Sequence, residues 1–264
     1  MLQIRNLSVK IGDKPILNDV SLQVSSGEVC CIIGPNGSGK STLLRSISGA
    51  LTPRSGEINW QNQPLPKAPQ ERARIIAMLP QNVGNGEEMR VEEMAMLGRT
   101  PHLSAYGAPS KTDRESVDEA VQLVAPDLIN RLLSTLSGGE RQRAILARPL
   151  ATMAPILLLD EPVSALDVRY QHEILALVLR LTRKRKLATI CVLHGINLAS
   201  LIADSILLLG AGGKQIAFGS PAEVLTEANL SQVYEMPLKV VNHPISGRPQ
   251  AQSMWNFDLD RDSE

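Results

Sequence analysis

One eight-residue pattern restricts the fold of this chain more than any other feature. Residues 34–41 read Gly-Pro-Asn-Gly-Ser-Gly-Lys-Ser and follow the continuous apolar run Val29–Ile33. Between a buried strand and a helix, the pattern G-x-x-x-x-G-K-[ST] forms a loop whose backbone N–H groups surround phosphate oxygens. Lys40 adds a positive charge for the phosphates, and Ser41 adds a hydroxyl for Mg²⁺. The predicted phosphate site comprises Gly34, Pro35, Asn36, Gly37, Ser38, Gly39, Lys40, Ser41 and Thr42.

A second apolar run carries the acidic half of the predicted site. The run Ile156–Leu159 is followed directly by Asp160 and Glu161. In open α/β sheets ligands bind beyond the carboxyl ends of the strands, which is where these two carboxylates fall. Asp160 is suited to holding Mg²⁺, and Glu161 is placed to orient or deprotonate an attacking water. With the phosphate loop, the acidic pair predicts a P-loop NTPase.

The spacing of apolar residues predicts the fold class. Three apolar runs alternate with helical patterns, as expected of parallel strands covered on both faces. These runs are Val29–Ile33, Ile156–Leu159 and Leu187–Leu193. By contrast, Leu2–Val9 and Ile16–Val24 alternate apolar and polar residues, as antiparallel strands do. We predict an α/β fold with a RecA-like parallel sheet, an N-terminal antiparallel β subdomain and an inserted α-helical subdomain.

The same patterns suggest the domain boundaries. We expect one nucleotide-binding domain over residues 1–236, with the helical subdomain inserted at about 82–154. Residues 237–264 contain few apolar residues in any regular spacing and end in acidic side chains, so we predict an irregular C-terminal tail.

Composition and charge narrow the classes of partner. The formal net charge is zero, with 27 Lys and Arg against 27 Asp and Glu, and aromatic residues are only 3%. This balance argues against a nucleic-acid partner, which needs a basic surface or stacking aromatics. No apolar stretch is long enough for a spanning helix, so we expect a cytoplasmic protein. Cys30, Cys31 and Cys191 lie in apolar runs and are predicted to be buried, reduced thiols.

A third motif, Leu136-Ser-Gly-Gly-Glu140, stands before a helical pattern. Ser137 and Glu140 have the spacing of a capping box, which marks a helix start. A helix start with a Gly-Gly backbone can also approach an anion. The spacing alone favours the simpler interpretation, a well-capped helix.

These three motifs together resemble the ATP-binding subunits of ABC transporters, and the resemblance covers almost the whole chain. Residues 136–140 match the signature of that family. The resemblance implies that ATP and Mg²⁺ are bound between two copies of the chain paired head to tail. Ser137, Gly138, Gly139 and Glu140 of one copy would then face the γ-phosphate held by the other.

Three further positions match motifs of the same family. Gln81 matches the Q-loop, which senses Mg²⁺ and touches the membrane partner, so Ser41, Gln81 and Asp160 form the implied magnesium set. Asp167 closes the D-loop at the dimer interface, and His194 matches the switch histidine that holds the γ-phosphate. The implied partners are two integral membrane permease subunits and, indirectly, a substrate-binding protein. The implied location is peripheral, on the cytoplasmic face of the inner membrane.

Four positions depart from the family pattern. Ile11 stands where an aromatic residue usually stacks on adenine, which predicts weaker ATP binding. Gly195 replaces an Asp that often follows the switch histidine, and Val163 replaces a common Thr. Pro149 falls late in the signature helix and is expected to end or kink it. None of these changes removes a predicted phosphate or Mg²⁺ ligand.

Within the family, the chain resembles importers of iron–siderophores, haem and cobalamin. The resembling segments are Met96–His102, Val192–Ala199, Val233–Pro237 and His243–Pro249. The tail is most similar to the siderophore type, so we predict a motor for siderophore import, with haem, cobalamin or another ABC substrate as alternatives. A soluble ABC ATPase is a further alternative. A GTPase is disfavoured because the chain has no Asn-Lys dipeptide for a guanine-reading motif.

Overall fold

The computed structural model describes residues 1–81, 88–104 and 107–254. The strands are β1 Leu2–Ile11, β2 Lys14–Val24, β3 Val29–Ile33, β4 Ser55–Trp60, β5 Gln63–Pro64, β6 Ile76–Leu79, β7 Ile156–Asp160, β8 Ala188–Val192, β9 Ser205–Leu209, β10 Gln215–Gly219, β11 Leu238–Asn242 and β12 Pro249–Ser253. The α-helices are α1 Lys40–Ser48, α2 Pro69–Ile75, α3 Val91–Met96, α4 Lys111–Val124, α5 Gly138–Ala151, α6 Val168–Arg185, α7 Ile196–Ile202, α8 Pro221–Val224 and α9 Glu227–Tyr234. Short 3-10 helices span Leu97–His102, Pro126–Leu128, Leu133–Thr135 and Ala211–Gly213.

The main sheet has the strand order β10-β9-β3-β8-β7-β6. Its strands pair in parallel except for β10, which runs antiparallel to β9. Every residue of β3, β7 and β8 is buried, because helices and the second sheet cover both faces. The predicted α/β fold with a parallel sheet is confirmed.

The N-terminal sheet is antiparallel, with the order β2-β1-β4-β5. Along β1, buried residues such as Leu2, Ile4 and Val9 are interspersed with exposed ones, so one face of the sheet meets the core. That core includes Leu43 and Leu44 of α1, the helix that begins at the end of the phosphate loop. The predicted antiparallel β subdomain is therefore present and packs against the phosphate-loop helix.

The predicted helical insertion contains α3, α4 and α5. A buried ion pair fixes their arrangement: Arg99 Nε lies 2.9 Å from Asp113 Oδ1, and the Arg99 guanidinium also donates to the Ala151 carbonyl at the end of α5. The pKa of Asp113 is lowered to about 2, mainly by the hydrogen bond from the Ser110 hydroxyl and to a smaller extent by Arg99. Pro149 lies in the last turn of α5, and the helix ends at Ala151, as predicted.

Two elements differ from the sequence predictions. The tail predicted as irregular contains a hairpin: β11 and β12 pair from Leu238 opposite Ser253 to Asn242 opposite Pro249. These strands are short and half exposed, so they lack the strong apolar alternation that marks a strand. The prediction also missed α2, whose Arg72 donates to the carbonyls of Ser46 and Ile47 near the end of α1. Residues 255–264 of the predicted tail lie outside the described residues.

The structure bears on two sequence predictions, the lack of a membrane-spanning stretch and the burial of the three cysteines. In the described part of the chain, no helix combines the length and apolarity that a membrane span requires. Cys30, Cys31 and Cys191 are buried, unpaired thiols, as predicted. Burial raises the pKa of Cys30 to about 12, so this thiol stays protonated at neutral pH.

Candidate nucleotide site

The loop between β3 and α1 has the backbone conformation of a phosphate cradle. Gly34 has φ 149°, and a Cβ built there would lie 2.2 Å from the Leu209 carbonyl oxygen, so the close approach excludes a side chain. Gly37 has φ 77° with open space on its Cβ side. The following helix α1 begins at Lys40 and directs its positive end toward the loop.

Lys40 lies inside the loop rather than in solvent. Its Nζ donates to the carbonyl oxygens of Gly34 and Pro35, both at 2.9 Å. Burial lowers the pKa of Lys40, while the nearby carboxylates of Glu161 and Asp160 oppose that shift. The buried Ser38 hydroxyl has no hydrogen-bond partner among the described residues. A buried ammonium and a free hydroxyl beside left-handed glycines fit an anionic phosphate chain.

The predicted magnesium ligands Ser41 and Asp160 are in contact. Ser41 Oγ donates to Asp160 Oδ1 at 3.1 Å. Burial raises the pKa of Asp160, and the Ser41 hydrogen bond opposes that shift. Within residues 1–81, 88–104 and 107–254, no group of three or more His, Cys, Asp or Glu could hold a metal by itself. The pair fits Mg²⁺, which commonly takes one or two protein oxygens and completes its shell with substrate phosphates and water.

Gln81, Glu161 and His194 form one hydrogen-bonded group. They follow β6, β7 and β8, which are neighbours in the parallel sheet, so their strand ends meet at one edge. Gln81 Nε2 donates to Glu161 Oε2 at 2.8 Å, and His194 Nε2 lies 2.5 Å from Glu161 Oε1. Both carboxylate oxygens of Glu161 are thus engaged. Gln81 contacts Glu161 here, so its predicted magnesium role stays a prediction.

The backbone turns sharply between the two acidic residues. Asp160 ends β7 in extended conformation, whereas Glu161 has φ 53°, in the left-handed region. The Glu161 amide donates to the Val192 carbonyl of β8 at 3.2 Å, which holds this turn. The turn sends the Glu161 side chain to Gln81 and His194, while Asp160 stays on Ser41. Sequence reasoning did not predict this conformation.

The signature segment is a second group, built on the start of α5. Ser137 is the N-cap, and its backbone N–H and hydroxyl both donate to Glu140 Oε2, at 2.9 and 2.8 Å. These two hydrogen bonds lower the pKa of Glu140, and the bond from the backbone N–H has the larger effect. The predicted capping box is confirmed, and in it the Glu140 carboxylate accepts hydrogen bonds from its own chain. The role of Ser137, Gly138, Gly139 and Glu140 toward a second copy remains a prediction.

Tyr170 joins the signature segment to the D-loop, and sequence reasoning missed it. A Cβ added to Gly139 would lie 2.4 Å from Tyr170 Cδ1, so the ring packs directly on the backbone of α5. The Tyr170 N–H donates to Asp167 Oδ1 at 3.0 Å, which makes Asp167 the N-cap of α6. The available signal was an aromatic residue three positions after Asp167, which is too common a pattern to single out.

The parallel sheet, the phosphate cradle and the acidic pair at the strand ends define a P-loop NTPase. The chain matches the ABC transporter family over residues 17–164, and it belongs to that family as its ATP-binding, ATP-hydrolysing domain.

Two relatives are similar over nearly their whole length. The hemin import ATP-binding protein HmuV of Shewanella denitrificans is 39% identical, over 94% of this chain and 99% of that protein. HmuV of Pseudomonas entomophila is 42% identical, over 94% and 98%. Among solved structures, an inward-facing putative metal-chelate type ABC transporter matches with TM-score 0.84 and 26% identity, over 97% of this chain and 98% of that one.

Proposed function

We propose that this chain is the ATP-hydrolysing motor subunit of a hemin importer, bound peripherally to the cytoplasmic face of the inner membrane. The proposal of ATP hydrolysis rests on one observation: the Glu161 carboxylate is hydrogen-bonded to Gln81 and lies against His194 beside the phosphate loop. The hemin part is supported by two relatives of that name that are similar along almost their full length. Siderophore import stays the second candidate, supported by the tail motifs and the metal-chelate type structure.

In the proposed mechanism, the loop N–H groups and Lys40 bind the phosphates of ATP. Ser41 and Asp160 would hold Mg²⁺, which, when bound, neutralises charge on the β and γ phosphates. Glu161 orients a water for in-line attack on the γ-phosphorus and accepts its proton. His194 contacts the γ-phosphate and keeps the Glu161 carboxylate aligned. Loss of the γ-phosphate removes these contacts and reopens the site.

The proposed working unit is a homodimer, as the resemblance to ABC ATP-binding subunits implies; within one chain the signature segment caps α5 and packs on Tyr170. Ser137 and Gly139 of one copy would close over ATP on the loop of the other. Gln81 and the helical insertion would pass this closure to two permease subunits, which receive cargo from a substrate-binding protein. No nucleic-acid partner is proposed.

The test is uptake of labelled hemin, ferric siderophore and cobalamin in cells that lack the gene. The cells are complemented with wild type, with Glu161→Gln, or with Glu173→Gln as the matched control. Glu173 lies on α6 and pairs with Arg169 in an exposed i,i+4 contact, which contributes little. We expect only hemin uptake to be restored, and only by the wild type and the control.

Purified protein separates the two parts of the proposal. Removing a group that acts in the transition state costs about 10²–10³ in rate, so Glu161→Gln should bind ATP and turn it over that much more slowly. Near-normal turnover would show that Glu161 is not the base. Normal ATP turnover with siderophore- or cobalamin-dependent uptake in cells would instead change the proposed cargo. Loss of the protein from washed membranes even when the permease is present would favour a soluble ABC ATPase.

A further inference from the structure

The helix that follows His194 is poorly supported by its own sequence. Helix α7 spans only Ile196–Ile202, and its N-cap is Gly195, which has no side chain to accept a hydrogen bond from the first turn. Isolated helices shorter than about 12–15 residues are marginal in water, so α7 depends on outside contacts. Gly195 alone separates His194 from this helix, so a displacement of α7 would be transmitted to the imidazole.

The C-terminal hairpin, residues 238–253, supplies those contacts along one side of α7. Asn197 makes a reciprocal pair with Ala251: the Ala251 N–H donates to Asn197 Oδ1 at 2.8 Å, and Asn197 Nδ2 donates to the Ala251 carbonyl at 3.2 Å. One turn further on, the buried Ser200 hydroxyl donates to the Pro249 carbonyl at 2.6 Å. Helix α7 is thus bonded to β12 along its length.

Arg248 caps the other end of the helix. Its Nη1 donates to the Ser200 carbonyl at 2.6 Å and to the Ala203 carbonyl at 2.8 Å. The last carbonyls of a helix lack intrahelical partners, and a positive charge there interacts favourably with the helix dipole.

The hairpin itself is fixed to the body of the protein independently of α7. The Leu238 N–H donates to Ser231 Oγ at 3.2 Å, and the Val240 N–H donates to Glu227 Oε1 at 3.1 Å. Leu238 and Val240 also pack against the main core. The hairpin can therefore hold α7 against the body of the fold rather than move with it.

We propose that the C-terminal hairpin is a positioning element for His194, with Arg248 and Asn197 as its positioning residues. The proposal rests on the role of His194 and Glu161 given above. The hydrogen bonds of Arg248 and Asn197 go to α7 and to β12 rather than to Glu161. Both residues act through α7, whose N-cap follows His194, and His194 lies 2.5 Å from Glu161.

The first test compares Arg248→Ala, Arg248→Lys and Lys239→Ala in the purified full chain. Lys239 is exposed on β11 of the same hairpin and serves as the control. Misplacing a catalytic group by about 1 Å can cost about 10²-fold, so partial loosening should lower kcat about tenfold in Arg248→Ala. The KM for ATP should stay within about twofold, since the phosphate loop is untouched. Arg248→Lys should recover part of the loss, and Lys239→Ala should match wild type.

The second test distinguishes positioning from general destabilisation. In a His194→Ala background, Arg248→Ala should cause no further loss of the residual rate, because the group it positions is gone. An added loss in that background would overturn the proposal.

A readout independent of turnover is amide hydrogen exchange. Arg248→Ala should speed exchange in the peptide covering 196–203 and leave β7 unchanged; equal exchange in α7 would overturn the proposal. Should Arg248→Ala fail to fold, Asn197→Ala carries the same tests from the other end of α7. Wild-type kcat in His194→Ala would reject the proposed site, whereas an inactive His194→Ala beside a fully active Arg248→Ala would reject only this inference.

Discussion

Replacing Gly139 by alanine should destabilise the protein, because the new methyl group would clash with the Tyr170 ring that packs on the signature segment. The new Cβ would lie 2.4, 2.6 and 2.8 Å from Cδ1, Cε1 and Cγ of Tyr170. The ring must therefore retreat by about 1 Å to reach ordinary contact, which is an overpacking of the kind that costs about 1–3 kcal/mol. The ring cannot simply swing away, because Cγ is at its root and the Tyr170 backbone is fixed to Asp167.

Gly138→Ala is the matched comparison, since its Cβ would meet only Leu166, at 3.9 Å. Urea unfolding should show Gly139→Ala destabilised by about 1–3 kcal/mol. Gly138→Ala should be neutral or stabilised by about 0.4–1 kcal/mol, because it restricts the unfolded chain. In a Tyr170→Ala background, the cost of Gly139→Ala should largely vanish. Equal stabilities for the two alanine variants, or an unchanged cost in that background, would refute the assigned clash.

Three other outcomes are expected. Ile11→Tyr should tighten ATP binding by about 1–3 kcal/mol through stacking on adenine, measured by titration of the purified chain; unchanged affinity would place adenine elsewhere. Asp113→Asn should lower the free energy of unfolding at pH 7, because it leaves Arg99 buried beside a neutral group. The lowered pKa of Asp113 means that wild type loses this advantage as pH falls from about 4 to about 2, so urea unfolding curves of the two proteins should converge there. Thiol reagents at pH 8 should leave native Cys30 unlabelled until the protein unfolds, because burial raises its pKa to about 12.

The parts of the site that could be predicted from sequence are those set by strand ends. Asp160 and His194 come at the ends of two apolar runs, and Lys40 begins the helix after the loop that follows a third. Parallel strands bring such positions to one edge of the sheet. The runs are long and continuous enough to be recognised without knowing their neighbours. The capping box at Ser137 is equally local, since its four residues determine the helix start by themselves.

The parts that could not be predicted depend on contacts between distant segments. The hairpin strand β12 has no apolar pattern, and its bonds go to Asn197 and Ser200, about fifty positions earlier. Tyr170 is recognisable as important only when α5 and α6 are seen together. The proposed cargo likewise follows from no residue pattern at the nucleotide site, and it rests on likeness to relatives named for hemin import.

The left-handed backbone at Glu161 implies a trade-off between fitness for catalysis and robustness of the fold. A non-glycine residue in this conformation carries about 1–2 kcal/mol of strain, and here it is the feature that separates the directions of two adjacent carboxylates. A glycine at this position would relax the backbone and remove a buried charge while abolishing the proposed base. An inactive protein that is harder to unfold than its parent is therefore the expected product of Glu161→Gly. Selection for stability alone would therefore favour replacing Glu161 by glycine, at the expense of ATP hydrolysis.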